Sequence, residues 1–288
     1  MALHVDEHVV LAFDENVKLE FAQNSSRLRS AVDVRTNVVG ESKSFDRIGN
    51  DEADEKTIAT SGTGRHEDHQ ESDLDGTRSW AGLRYFYKAI PLDPDDEDKM
   101  LVDPRNKYVM AIAGALGRKM DELIIDAAVG NAARGTYVGG TSNVALPTAQ
   151  LIANGSTGLT IAKLRTAKKI LDGAEVPDSE RYLALNAKAL SDLLGTTEVT
   201  SSDFNTVRAL VNGELSTFLG FSFIRTEKIN TTTGCVAWHK SAMGLAIAKE
   251  RNTIWQRNDK HGLWEAYGSV HFGAVRAEDA GVVMIDFV

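Results

Sequence analysis

Apolar side chains near the start of the chain recur at spacings of three, four or seven residues. The series consists of Val10, Phe13, Val17, Phe21 and Leu28, with Asp, Glu and Lys at positions between them. This spacing places apolar residues on one face of a helix, so it predicts an amphipathic helix in this segment. Two placements fit the pattern equally well: the helix docks on its own domain, or it forms an arm that docks on a neighbouring molecule.

Two segments, 32–48 and 77–90, are rich in β-branched and aromatic residues and contain no proline, which predicts two strands. Between them, residues 49–76 are dominated by glycine, acidic residues, serine and threonine, as expected of an exposed loop. Strands of this length would extend roughly 45–55 Å at about 3.3 Å per residue. Because an isolated two-stranded hairpin is marginally stable in water, we expect this one to lie on another subunit.

The longest predicted helix covers residues 104–129. Asp103 is a suitable N-cap, Pro104 occupies the favoured first position, and apolar residues recur along one face up to Ala127. Gly114 and Gly117 each cost about 1 kcal/mol relative to alanine inside a helix, so a closely packed partner is expected beside them.

The second half of the chain mixes short helices and short strands. Loops and a short hairpin are predicted for 130–158, helices for 160–171, 187–194 and 204–210, and strands for 181–185, 221–225, 235–239, 244–249, 264–272 and 281–288. Strands and helices do not alternate regularly, so the predicted fold class is α+β.

Composition and charge narrow the possible functions. Hydrophobic residues make up 42% of the chain and charged residues 25%, which is typical of a folded globular protein. The net charge of −9 argues against nucleic-acid binding as the main activity. Residues 51–98 contain 14 acidic and 5 basic residues and so account for the whole net charge.

The chain has one cysteine, Cys235, and therefore no intramolecular disulfide, which agrees with a reducing cytoplasm. We expect Cys235 to be a small buried apolar residue; a reactive thiol is the alternative. No apolar stretch reaches the length of a membrane span, and the N-terminus lacks the features of a signal peptide.

Motifs for catalysis or metal binding are weak. His4, Glu7 and His8 match the H-x-x-E-H pattern of inverted zinc proteases, but they lie at the extreme N-terminus, before any scaffold for a third ligand. The segment 66–73 contains histidines and acids that could bind a divalent ion, although a solvated acidic loop explains it more simply. Phosphate-binding loops and nucleophile elbows are absent from the sequence. We therefore predict no catalytic residue, no metal site and no cofactor.

A resemblance to a known family appears around the longest helix. Residues 115–125, ALGRKMDELII, resemble the long spine helix of tailed-bacteriophage major capsid proteins. Residues 21–29, FAQNSSRLR, look like the end of the N-terminal arm in those proteins, and 267–285 are similar to their final strands. The order of elements agrees along essentially the whole chain.

This resemblance implies an HK97-type capsid fold and a structural function. It would divide the chain into an N-arm (1–31), an extended E-loop (32–95), a peripheral domain with the spine helix (96–175), an axial domain (176–242) and return strands (243–288). It also implies self-assembly into the hexamers and pentamers of an icosahedral shell in the virion, built in the host cytoplasm. Further partners implied by the resemblance are a portal, scaffold or decoration proteins, and packaged DNA bound non-specifically; no membrane is involved.

Eight apolar and aromatic residues are predicted to form subunit interfaces because they lie on the arm and the E-loop: Phe13, Val17, Phe21, Leu28, Phe45, Trp80, Tyr85 and Tyr87. Two alternatives remain. The same fold could build an encapsulin-like nanocompartment, which gene neighbours would distinguish from a phage capsid. A metal-dependent hydrolase built on the histidines would require stoichiometric zinc.

Overall fold

The structure is a computed structural model that describes residues 25–49, 76–92, 105–136, 141–195, 217–229, 234–248, 254–258 and 262–287. The described residues contain three α-helices: α1 (Arg105–Val129), α2 (Ile161–Gly173) and α3 (Ala187–Leu194). The strands are β1 (Asp33–Arg35), β2 (Ser42–Ile48), β3 (Gly76–Gly82), β4 (Arg84–Leu92), β5 (Ala132–Thr136), β6 (Thr141–Val144), β7 (Leu151–Ile152), β8 (Arg181–Leu185), β9 (Thr217–Phe218), β10 (Phe221–Arg225), β11 (Cys235–His239), β12 (Met243–Ile247), β13 (Ile254–Asn258), β14 (Leu263–Arg276) and β15 (Val282–Ile285).

These strands form three sheets. In the body sheet, β1 pairs with β12, and β12 and β13 pair one after the other along one edge of the long strand β14. Strand β4 pairs along the opposite edge of β14. The hairpin sheet has the order β2-β3-β5-β6, and a six-stranded sheet has the order β7-β15-β11-β8-β10-β9. This combination of separate sheets and segregated helices confirms the predicted α+β class.

Most of the buried apolar residues form one continuous core. Helix α1 packs on the inner face of the body sheet, and α2 packs against the six-stranded sheet. Helix α3 contributes Ala189 and Leu193 to the same core. Trp238 of β11 lies inside this core and donates a hydrogen bond from Nε1 to the carbonyl oxygen of Ala31 at 2.8 Å. A second, smaller core, which includes Phe45 and Ala246, lies between the outer face of the body sheet and the hairpin sheet.

Several local predictions are confirmed. Helix α1 covers almost the same residues as predicted, and Thr160 caps α2 by accepting a hydrogen bond from the Lys163 amide at 3.4 Å. The predicted bounds are also confirmed for four elements of the second half: β8, α3, β10 and β11. The predicted short hairpin is formed by β5 and β6. The predicted helix 204–210 lies outside the described residues, and strand β13 was not predicted.

The prediction of two long hairpin strands is wrong in its extent. The first is interrupted by residues 36–41, where Asn37 and Gly40 have positive φ angles of 56° and 111°. The second is divided at Leu83, whose amide donates to Glu41 O at 2.8 Å. Only β2 and β3 pair with each other, over about 23 Å at 3.3 Å per residue, and β3 also pairs with β5. The hairpin therefore begins as part of a four-stranded sheet.

The end of the predicted N-terminal helix is also different. Residues 25–28 are not helical, and Leu28 is fully buried in the main core. The earlier positions of the predicted helix lie outside the described residues. The close partner expected beside Gly117 is present: a Cβ atom there would lie 2.8 Å from the Ser26 nitrogen.

Candidate subunit interface

A group of aromatic side chains occupies the outer face of the body sheet, opposite helix α1. In the antiparallel pairing of β4 and β14, Tyr85 lies opposite His271, Tyr87 opposite Ser269 and Ala89 opposite Tyr267. Residues directly opposite each other, and residues two positions apart on one strand, share a face of a sheet. We call Tyr85, Tyr87, Tyr267 and His271 the aromatic surface.

The rings of the aromatic surface contact one another. The Tyr85 ring centroid lies 5.8 Å from that of Tyr87 and 4.7 Å from that of His271, and Tyr87 lies 6.2 Å from Tyr267. The hydroxyls of Tyr85 and Tyr267 are hydrogen-bonded. Despite these contacts Tyr85 and Tyr87 remain 47% and 62% exposed. Mutual stacking fixes the rings while leaving much of their area accessible.

On the opposite face of the same strands, the aromatic rings are covered by the core of the subunit. Phe86, between the two tyrosines, stacks on Phe272 at 4.5 Å and packs against the main core. The strand therefore alternates between core-facing and outward-facing aromatic rings. The outward-facing rings are unusual because outward positions of a sheet that faces water are normally polar.

The hairpin sheet covers only part of the outer face. Phe45 of β2 lies directly over Gly244 of β12, where a Cβ atom would be 2.6 Å from the ring. Phe45, Ala81, Ala246 and Val275 are buried together in the second core. The aromatic surface lies on the remaining part of the face, beside the exposed Ile254 of β13.

The base of the hairpin sheet is fixed by a cluster of charged residues. Arg134 of β5 donates two hydrogen bonds to the Asp279 carboxylate, at 2.7 and 2.8 Å, and Arg276 Nε donates to the same carboxylate at 2.6 Å. The fully buried Arg276 also donates to the carbonyl oxygens of Ala128, Gly130 and Val144. This cluster connects the end of α1, the body sheet and the hairpin sheet.

A buried carboxylate fixes the segment that precedes β1. Asp121 of α1 accepts hydrogen bonds from the Ser26 hydroxyl at 2.5 Å and from the amides of Arg27 and Leu28 at 3.1 Å. One turn earlier on α1, the Gly117 position contacts the backbone of Ser25 and Ser26.

The structure separates the eight predicted interface residues into three groups. Phe13, Val17 and Phe21 lie outside the described residues. Leu28 and Phe45 belong to the cores of this subunit, so their side chains stabilise the subunit itself. The remaining three are accessible: Tyr85 and Tyr87 on the aromatic surface, and the partly exposed Trp80 on the hairpin sheet, where it stacks with Arg78.

The sequence prediction missed Tyr267 and His271, and it missed the roles of Asp121 and Asp279. Tyr267, Ser269 and His271 alternate with apolar positions, which is the signal that could have placed the two rings on one face of a strand. The two aspartates carry no comparable signal, because the donors to Asp121 and the Arg134 that binds Asp279 are distant in the sequence.

No group of three or more potential metal ligands exists among the described residues. The candidate segments 4–8 and 66–73 lie outside them. No helix in the described part of the chain is long and apolar enough to cross a membrane. Cys235 is fully buried, as predicted, and burial raises the pKa of its thiol to about 12.

Comparison with known families gives a match over nearly the whole chain. A family model described as phage capsid protein matches residues 5–288. A search of curated proteins found no match.

Solved capsid structures share the fold at low sequence identity. A capsid structure of Ralstonia phage GP4 has a TM-score of 0.69 at 10% identity, and the match covers 99% of this chain and 96% of the GP4 chain. A structure from Mycobacterium phage Che8 has a TM-score of 0.68 at 16% identity, and the match covers 95% of both chains. The capsid structure of cyanophage P-SCSP1u has a TM-score of 0.67 at 18% identity, and the match covers 100% of this chain and 95% of the cyanophage chain. These matches agree with the HK97-like arrangement expected from the sequence.

Proposed function

The chain belongs to the phage capsid protein family, and on that basis we propose that its aromatic surface joins neighbouring copies of the chain in the shell. The function is structural: the chain is a major capsid protein that self-assembles into the shell of a phage particle. Such a protein needs surfaces that are exposed in one subunit and covered in the assembly.

The exposure of the stacked rings carries this proposal. Tyrosine is enriched in protein interfaces because its ring buries a large apolar area while its hydroxyl keeps a polar partner. Tyr85 and Tyr87 each have roughly 100 Å² left to bury, worth about 2.5 kcal/mol each at ~25 cal/mol per Å². Because a shell repeats its contacts many times, such a gain would strongly favour assembly.

A second copy of the chain is the occupant that fits best. The hairpin sheet already covers the adjoining part of the same face in each subunit through Phe45 and Ala81. On this face the described positions beside the four rings are Ala89, Glu265 and Ser269, which offer no positive charge to bind a nucleic-acid phosphate. A stacked apolar surface instead fits a protein partner, and copies of the chain are the most abundant protein in a shell.

The remaining assignments follow from the family and belong to the same proposal. The copies form hexamers and pentamers, the portal and any scaffold or decoration proteins bind to them, and packaged DNA is contacted non-specifically. Assembly takes place in the host cytoplasm, and the subunit has no enzymatic activity. The division into N-arm, E-loop, peripheral domain, axial domain and return strands is proposed with the bounds given above, and the arm residues Phe13, Val17 and Phe21 dock on a neighbour.

The test replaces Tyr85→Ser and Tyr87→Ser together in the full chain. Shells and free subunits are separated by sedimentation and examined by negative-stain microscopy. We expect the double variant to remain folded but to require at least tenfold more protein for assembly. The control is Met110→Gln, which replaces a 46% exposed apolar side chain on α1, outside both the E-loop and the aromatic surface, and should leave assembly unchanged. Assembly of the double variant at the wild-type concentration would refute the proposal.

A further inference from the structure

We propose that Asp121 is a positioning residue: it anchors the N-terminal segment to the spine helix α1 and thereby sets the point from which this segment leaves the subunit toward a neighbour. The anchoring is a property of the single subunit. Its use in assembly rests on the proposed function above.

The carboxylate of Asp121 is fully buried, and a buried carboxylate is destabilising unless hydrogen-bond donors surround it. Here three donors come from three consecutive residues. Oδ1 accepts from the Ser26 hydroxyl and the Leu28 amide, and Oδ2 accepts from the Arg27 amide. Hydrogen bonds to an ionised acceptor are among the stronger ones, so this short segment is held at one place on α1.

Gly117 supplies the space for the same contact. It precedes Asp121 by four residues, so the two positions lie on the same face of α1. A Cβ atom at Gly117 would lie 2.8 Å from the Ser26 nitrogen and 3.0 Å from the Ser25 carbonyl carbon. The helix is therefore adapted to the segment at two positions: one without a side chain, where the backbone crosses, and one with a carboxylate that binds its donors.

Further contacts fix the direction of the chain after the anchor. The Ser26 hydroxyl also accepts from the Arg29 amide at 3.1 Å, and Arg27 Nη1 donates to the Arg225 carbonyl at 2.8 Å. Leu28 is buried in the core. Ser25 and Ser26 are consequently held at a defined point beside α1.

The anchor can be tested in free subunits by limited digestion with trypsin, which cleaves after Arg27 and Arg29. Cleavage of these bonds requires the segment to detach from α1, so its rate reports how often the anchor opens. We expect Asp121→Asn and Ser26→Ala to accelerate this cleavage, by about tenfold or more for Asp121→Asn. The matched control is Glu122→Gln, a partly exposed acid next to Asp121 that pairs with Lys119 and Lys228, and its cleavage rate should equal that of the wild type.

Assembly is measured on the same variants by sedimentation. We expect Asp121→Asn to form shells poorly while its thermal unfolding, followed by circular dichroism, stays cooperative. Unchanged cleavage in both Asp121→Asn and Ser26→Ala would overturn the anchor. Faster cleavage with normal shells would overturn its positioning role.

If Asp121→Asn fails to fold, Ser26→Ala decides the question because it removes one donor and leaves the carboxylate in place. The result is separable from that of the aromatic surface. The double variant with Tyr85→Ser and Tyr87→Ser should be cleaved after Arg27 and Arg29 as slowly as the wild type, whether or not it forms shells.

Discussion

The charged cluster at the base of the hairpin sheet leads to a quantitative prediction for Asp279→Asn. The Asp279 carboxylate binds both guanidinium groups, that of Arg134 through two hydrogen bonds and that of Arg276 through Nε. Arg276 is fully buried, and the Asp279 side chain is 15% exposed. Asparagine has nearly the same shape as aspartate, so the substitution removes the negative charge and leaves two guanidinium groups close together.

The expected destabilisation follows from the burial of Arg276. Breaking a buried ion pair by removing one partner typically costs about 3–5 kcal/mol, because the remaining charge stays away from water. Asp279 is slightly accessible and Arg276 keeps its three carbonyl partners, so we expect the lower end of the range, about 3 kcal/mol. For a domain of this size that corresponds to a melting temperature lower by roughly 6–12 °C.

The measurement is urea or thermal unfolding of free subunits, followed by tryptophan fluorescence. The matched control is Asp46→Asn, which breaks the ion pair with Arg78 on the same hairpin sheet. Asp46 is 54% exposed, so its loss should cost no more than about 1 kcal/mol. If Asp279→Asn and Asp46→Asn destabilise the subunit equally, the cluster does not act as a buried charge network.

Two further predictions concern the cores. Gly244→Ala places a methyl group against the Phe45 ring and should lower the free energy of unfolding by about 1–3 kcal/mol. The control is Gly173→Ala at the end of α2, where the new methyl group meets no atom within 4 Å, so this variant should be neutral or slightly stabilising. Equal unfolding midpoints in urea for the two variants would contradict the close packing at Gly244. Cys235 should resist alkylation at pH 8 in the folded subunit and react in urea, because burial keeps its thiol protonated, with a pKa of about 12; rapid labelling of the native protein would show that the thiol is accessible.

Sequence alone was sufficient for elements whose signals are local. The apolar spacing within 104–129 predicted α1, because a helix forms its hydrogen bonds between residues four positions apart. The same holds for α2, where Thr160 caps the amide of Lys163 three residues later. The family resemblance also came from such a local run, residues 115–125 within α1, and the family comparison confirmed it.

Only the tertiary structure decided how strands were divided among sheets and which polar residues were buried. The predicted strand 77–90 became β3 and β4 in two different sheets, because its partners β2, β5 and β14 lie far away in the sequence. In the sequence, Asp121 resembles any acid on a helix; its role depends on the segment 26–28, which returns to the same place in space. Tyr85 and Tyr87 could be proposed from their strand pattern, and the alternation at 267–271 indicates a second strand face, but only the fold shows that these two strands pair. The reason is physical: backbone geometry and local hydrogen bonds depend on nearby residues, whereas burial and ion pairing depend on long-range contacts that form only in the folded chain.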